Sequence, residues 1–199
     1  MGARRRGLSH YHEGARALQD RFDTRRLADR LAERLSRTEF SAEDKAFIET
    51  RIMFFLATAD AAGRPDCSYK GGLPGFVRVT GAGELAFPSY DGNGMFRSLG
   101  NVRVNPAVGL LFLDFERPRR LRVLGTASAS ESDPLLGEFA GAQLVVRVRA
   151  EAIFPNCPRY LHRMQLVEMS PYAPRPGYEP PVPAWKEQPA FKEVLPRGS

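Results

Sequence analysis

The period of apolar positions changes about a quarter of the way along the chain. In the first part leucines recur four residues apart, at Leu27, Leu31 and Leu35, which is the spacing of one helix face. Ser41 then opens a capping-box pattern ahead of further apolar residues, which predicts a new helix. We therefore predict an N-terminal helical extension over residues 1–50, packed on the outside of a β core.

From Met53 onward the pattern predicts a β core over residues 51–155, because short apolar stretches alternate with turns rich in Gly and Pro. A short helix is predicted at Met95–Val102, ahead of an Asn-Pro stop. Many short strands in this arrangement favour an antiparallel barrel or sandwich. The predicted strands are Met53–Ala59, Pro65–Tyr69, Phe76–Thr80, Glu84–Phe87, Ala107–Asp114, Arg120–Ala129 and Gln143–Phe154.

Residues 156–199 are expected to form a C-terminal helix followed by a proline-rich tail that wraps over the surface. Pro171–Pro183 holds six prolines, a composition typical of an extended segment.

Length and charge limit the functional classes. The chain has 199 residues, a net charge of +6 and two cysteines, so we expect one domain with appendages in the cytoplasm and no disulfide framework. No apolar run is long enough to span a bilayer, and no groove-reading motif accompanies the basic residues, so neither a membrane nor a nucleic acid is an expected partner.

The sequence lacks the common nucleotide-binding and nucleophile motifs. It contains no P-loop, no GxGxxG and no Gly-x-Ser-x-Gly elbow, and its three histidines are too scattered to predict a metal site. We assign no catalytic side chain, and we expect a cofactor to supply the reactive atom.

An anion site is indicated near the start of the short helix predicted at Met95–Val102. Arg97 and Ser98 follow a glycine-bearing loop, so free N–H groups, a hydroxyl and a guanidinium converge there. Lys70 points into the same site if its strand is a neighbour of Glu84–Phe87, the strand that ends in this loop. Taken singly, the loop predicts only a turn, and Arg97 and Lys70 are ordinary surface residues.

Several stretches, in this order, resemble the FMN-binding split barrel of the pyridoxamine 5'-phosphate oxidase family. The set of an Asn-Pro-x-Val strand followed by a strand ending in Gly-x-Ala is the most specific part. The stretches are Phe55–Ala59, Gly63–Asp66, Lys70–Gly72, Leu85–Phe87, Arg97–Ser98, Asn105–Phe112 and Arg120–Ala127.

The resemblance implies a mainly β fold with flanking helices, an antiparallel split β-barrel of the FMN-binding type. It also implies a homodimer with FMN at the subunit interface, acting on a small molecule. The implied cofactor-binding residues are Lys70, Pro88, Ser89, Arg97, Ser98 and Arg120. Two family phosphate contacts are replaced: Pro65 stands where an arginine is usual, and Ser98 where a lysine is usual.

The family's C-terminal arginine-rich stretch is missing after Phe154, so we do not expect vitamin B6 phosphate as the substrate. One hypothesis places Asn156 and Arg159 in a substrate pocket. The alternative is that Asn156-Cys157-Pro158 only turns the chain into a helix with Tyr160 and Leu161, and a Cys157–His162 nucleophilic pair is a third reading.

An FMN-dependent oxidoreductase is the favoured function. Two alternatives stay open: the same fold binding a deazaflavin coenzyme or haem, and a non-enzymatic flavin- or phosphate-binding protein.

Overall fold

The computed structural model describes residues 11–196, so His10, one of the three histidines, lies outside the described residues. Seven strands form one antiparallel sheet that curls without closing, in the order β2-β1-β5-β6-β7-β4-β3. This is the expected split barrel with flanking helices. The strands are β1 Met53–Ala59, β2 Pro65–Gly71, β3 Arg78–Gly81, β4 Glu84–Tyr90, β5 Ala107–Asp114, β6 Arg119–Ser130 and β7 Ala142–Asn156.

Pairing of β1, β5 and β6 brings apolar side chains together in the barrel core. Phe54 on β1 pairs with Phe112 on β5, which pairs with Leu121 on β6, and all three side chains are buried. Burying such side chains stabilises the fold by roughly 1.5–3 kcal/mol each.

Five α-helices flank the described sheet: α1 Glu13–Arg21, α2 Arg25–Leu35, α3 Ala42–Glu49, α4 Arg97–Val104 and α5 Pro189–Lys192. The capping box predicted at Ser41 is present, since Ser41 and Asp44 exchange side-chain-to-backbone bonds. Asp44 is 1% exposed and pairs with Arg37. Phe47 of α3 is also buried, so α3 packs on the core as expected.

The first two helices differ from the expectation of a packed outer layer. Neither α1 nor α2 has a buried residue, and the leucine face at Leu27, Leu31 and Leu35 stays exposed. The spacing predicted the helices correctly. It did not predict whether their apolar face is packed, because a periodic pattern carries no information about a partner surface.

The predicted helix directly after Asn156 is wrong. Arg159 and Tyr160 form a turn, closed by the Leu161 N–H donating to the Pro158 carbonyl, and the chain continues without regular structure. The apolar side chains that follow are mostly exposed, so no buried face stabilises a helix there. Most of Pro171–Pro183 is likewise irregular, and a 3₁₀ turn at Ala184–Glu187 precedes α5.

Candidate functional site

The candidate site begins where α4 meets the inner face of β2. The N-terminus of α4 has no side-chain cap, because Phe96 precedes it in the left-handed conformation with φ of 47°. Uncapped N–H groups at a helix start carry a partial positive charge and bind anions. Leu99 and Val102 are buried in the core and hold α4 in place.

Arg97 and Ser98 begin this helix and meet β2. Ser98 is 6% exposed, and its Oγ lies 2.9 Å from Ser68 Oγ and 3.2 Å from Asp66 Oδ2. Arg97 Nε donates to Asp66 Oδ1 at 3.1 Å, with the Arg97 side chain 67% exposed and Asp66 15% exposed. We call Asp66, Ser68, Lys70, Arg97 and Ser98 the α4–β2 cluster.

Lys70 lies on the same face of β2 as Asp66 and Ser68, since alternate residues of a strand share a face. It forms no hydrogen bond or ion pair with any described residue. Burial lowers the pKa of its ammonium, and the charge of Asp66 partly opposes that shift. An ammonium that is partly desolvated and unpaired is disposed to accept an anionic partner.

Pro88 and Ser89 stand near the end of β4, where the register with β7 shifts between Ser89 and Tyr90. The ends of β2 and β4 approach each other, because Gly71, Gly72 and Tyr90 line one cavity. The two strands do not pair with each other in the sheet, and neither Lys70 nor Pro88 and Ser89 line this cavity.

Arg120 and Asn156 form a second, separate cluster. They are direct partners across β6 and β7, and Arg120 donates to the Cys157 carbonyl. Arg120 Nε and Asn156 Oδ1 are buried and have no hydrogen-bond partner among the described residues. Such orphaned polar atoms are rare in proteins, and a bound water, ion or ligand is a common partner for them.

The two clusters are far apart within one chain. Three strand steps separate β2 from β6, which is roughly 14 Å at the usual spacing. Arg120 also faces away from the core, since its neighbour Leu121 is buried in it. Arg159 is exposed beyond β7, and no hydrogen bond joins Cys157 to His162 among the described contacts.

Asp66 and Ser68 were not predicted as site residues. Their alternation with Lys70 on one strand face was visible in the sequence, but their contact with Ser98 spans 30 or more residues. Within residues 11–196 no helix is long and apolar enough to cross a membrane. The same residues hold no group of three metal-ligating side chains.

More than half of this chain aligns with solved structures of bacterial proteins. Two crystal structures from bacteria align with it: HupZ of Group A Streptococcus (22% identity, 58% of this chain and 93% of that one, TM-score 0.47) and General Stress Protein 26 of Bacillus anthracis (14%, 55% and 88%, 0.43). The haem storage protein HutZ of Vibrio cholerae aligns at 24% identity over 59% of this chain and 95% of its own, with a TM-score of 0.42.

None of the curated proteins compared matches the sequence. The family model described as pyridoxamine 5'-phosphate oxidase matches residues 40–173, which include every strand of the sheet and both clusters. The chain therefore belongs to the pyridoxamine 5'-phosphate oxidase family.

Proposed function

We propose that this protein binds FMN and works as a homodimeric oxidoreductase on a small molecule other than vitamin B6 phosphate. The observation that carries the proposal is the uncapped start of α4. There Arg97 and Ser98 contact the face of β2 that also carries Lys70, whose ammonium has no partner among the described residues. Family membership supports the cofactor class.

The residues present fit the phosphate of a flavin nucleotide. Arg97 and the Ser98 hydroxyl stand at the free N–H groups of α4, and Lys70 lies further along the β2 face that they contact, which together is a donor set typical of phosphate sites. Asp66 reduces the net charge of the cluster to about +1, so phosphate binding here requires Asp66 to release Arg97 and Ser98.

Arg120 and Asn156 support placing the ring system at a subunit interface. Their orphaned Nε and Oδ1 atoms offer one donor and one acceptor, but they lie about three strand steps from the phosphate donors of the same chain. Pairing of two copies would bring one copy's Arg120 cluster to the other copy's α4–β2 cluster. Exposed Met95 and Phe96 beside the α4 start provide apolar surface for such an interface.

The flavin ring, when bound, supplies hydride or electron transfer. This chain then has three tasks: Arg97 and Ser98 anchor the phosphate, Asn156 orients the ring edge or the substrate, and Arg120 places positive charge near the ring. A guanidinium there favours the reduced, anionic state of the cofactor. No described side chain needs to act as a proton donor for this chemistry, which agrees with the absence of a catalytic motif.

The visible spectrum of the purified protein, with and without added FMN, tests the cofactor. Flavin bands together with a released ligand of FMN mass support the proposal, and a deazaflavin or haem spectrum contradicts it. Turnover by reductants such as NADPH separates an oxidoreductase from a protein that only carries flavin.

The phosphate anchor is tested by Arg97→Ala. Loss of one exposed charge-assisted contact should weaken FMN binding about tenfold, or ~1.4 kcal/mol, and leave riboflavin binding unchanged. Arg103→Ala, on the last turn of the same helix, is the matched control. Equal losses for FMN and riboflavin would place the phosphate elsewhere.

A further inference from the structure

A second candidate binding site lies on the opposite face of β2. Tyr69 points away from the core, because its neighbour Lys70 pairs with buried Phe54 and shares that inner face. A cavity of about 460 Å³ opens beside Tyr69, in the size range of small-molecule sites, roughly 300–1,000 Å³. The C-terminal segment 166–174 forms its other wall.

That wall is fixed by specific contacts. Pro174 packs on Gly141, where a Cβ would lie 2.9 Å from the Pro174 Cβ and where φ is +72°. Lys186 bonds Asp91 at 2.8 Å. Pro174 therefore fixes the segment against the loop before β7, and the downstream turn that carries Lys186 is fixed to Asp91, directly after β4.

The lining is aromatic and acidic. It contains Tyr69, Tyr90 and Tyr172, together with Asp91 and Glu168, and no Lys, Arg or His of the described chain belongs to it. The chain has a net charge of +6, so the sign of the charge on the side chains that line this cavity is opposite to that of the whole protein.

One negative charge in the cavity is uncompensated. Asp91 is neutralised by Lys186, whose side chain is 11% exposed. Glu168 forms no ion pair or hydrogen bond with a described residue. The Tyr90 hydroxyl likewise has no hydrogen-bond partner in the described part of the chain, and burial raises the pKa of Tyr90, so the phenol stays neutral.

We propose that this cavity binds a small organic cation, an amine or quaternary ammonium carried on a flat or aromatic body. Glu168 pairs with the cationic group of the ligand. The tyrosine rings contact the apolar body of the ligand and the carbon atoms beside its positive charge, and the Tyr90 hydroxyl forms a hydrogen bond with a polar substituent. The site is distinct from the α4–β2 cluster, whose donors select anions, and it does not depend on flavin binding.

Calorimetric titration of the full chain tests this with three probes of one shape: benzylamine, benzyl alcohol and benzoate. Benzylamine should bind most tightly and benzoate most weakly. Glu168→Gln should weaken benzylamine binding about tenfold and leave benzyl alcohol unchanged. Glu168 is exposed, so the variant keeps the fold, and Glu179→Gln, an exposed carboxylate of the same tail outside the cavity, is the matched control.

Benzoate binding as tightly as benzylamine would overturn the proposal, as would a failure of benzylamine to bind. An identical loss of benzylamine affinity in the Glu168 and Glu179 variants would also overturn the proposal, because the loss would then follow from the change in net charge alone. Titrations repeated in the presence of FMN separate this outcome from that of the flavin proposal, because benzylamine binding should be the same with and without FMN.

Discussion

Replacing Asp66 by asparagine should tighten FMN binding. In the structure the Asp66 carboxylate already occupies donors that a phosphate needs: Arg97 Nε at 3.1 Å and Ser98 Oγ at 3.2 Å. A bound phosphate must displace it and remain beside its negative charge. Asparagine keeps the shape and removes the charge.

The magnitude follows from the geometry. Two unit charges about 4–5 Å apart repel by roughly 1 kcal/mol in water and by up to about 4 kcal/mol near a protein surface. Asp66 is 15% exposed and Arg97 is 67% exposed, so the lower half of that range applies. We expect Asp66→Asn to lower the FMN dissociation constant about tenfold, or ~1.4 kcal/mol. Riboflavin, which has no phosphate, should bind as before.

Quenching of flavin fluorescence on titration with flavin-free protein measures both constants. Glu151→Gln, an exposed carboxylate on β7, makes the same change in net charge away from the cluster. Weaker FMN binding in Asp66→Asn would refute the reasoning, and so would equal tightening of FMN and riboflavin.

Two further predictions concern stability. Gly125→Ala should lower the free energy of unfolding, measured in urea, by about 3 kcal/mol or more. The reason is that the added Cβ would lie 2.1 Å from the Arg149 carbonyl oxygen at the β6–β7 bulge. Gly137→Ala is the control and should be nearly neutral, because Gly137 has open space around it. Asp44→Asn should cost about 2 kcal/mol at pH 7. Burial raises the pKa of Asp44, but hydrogen bonds from Arg37 and the capping box outweigh it and lower the pKa, so this stabilisation is present above the unfolded value of about 3.9 and is lost as the pH falls through the folded pKa. A mutant that loses stability equally at pH 2 and pH 7 would contradict the Asp44 assignment, and equal effects at both glycines would contradict the first.

Strands were predictable where a short apolar run is bounded by turn residues. The bounds of β1 and β5 agree with the prediction, because each is a short apolar run that is followed by turn residues, Asp60–Gly63 after β1 and Glu116–Pro118 after β5. The end of β4 was placed too early, at Phe87, because Pro88 is a typical strand breaker, yet its position opposite β7 continues the ladder to Tyr90.

Long-range features were less accessible. The Gly-x-Ala signal was visible, but the reason for Gly125 is a bulge that only the β6–β7 pairing reveals. Asp66 was missed as a site residue because its partners lie on a helix some 30 residues downstream. The aromatic cavity was missed as well, since its wall at 166–174 meets β2 only through tertiary packing.

A crystal structure of the protein grown with FMN would test the flavin assignment most directly. We predict the phosphate at the start of α4, within hydrogen-bond distance of the Ser98 hydroxyl and the Arg97 guanidinium, with Asp66 no longer bonded to Arg97. A flavin whose phosphate lies away from α4, or crystals that hold no flavin at saturating FMN, would contradict the assignment.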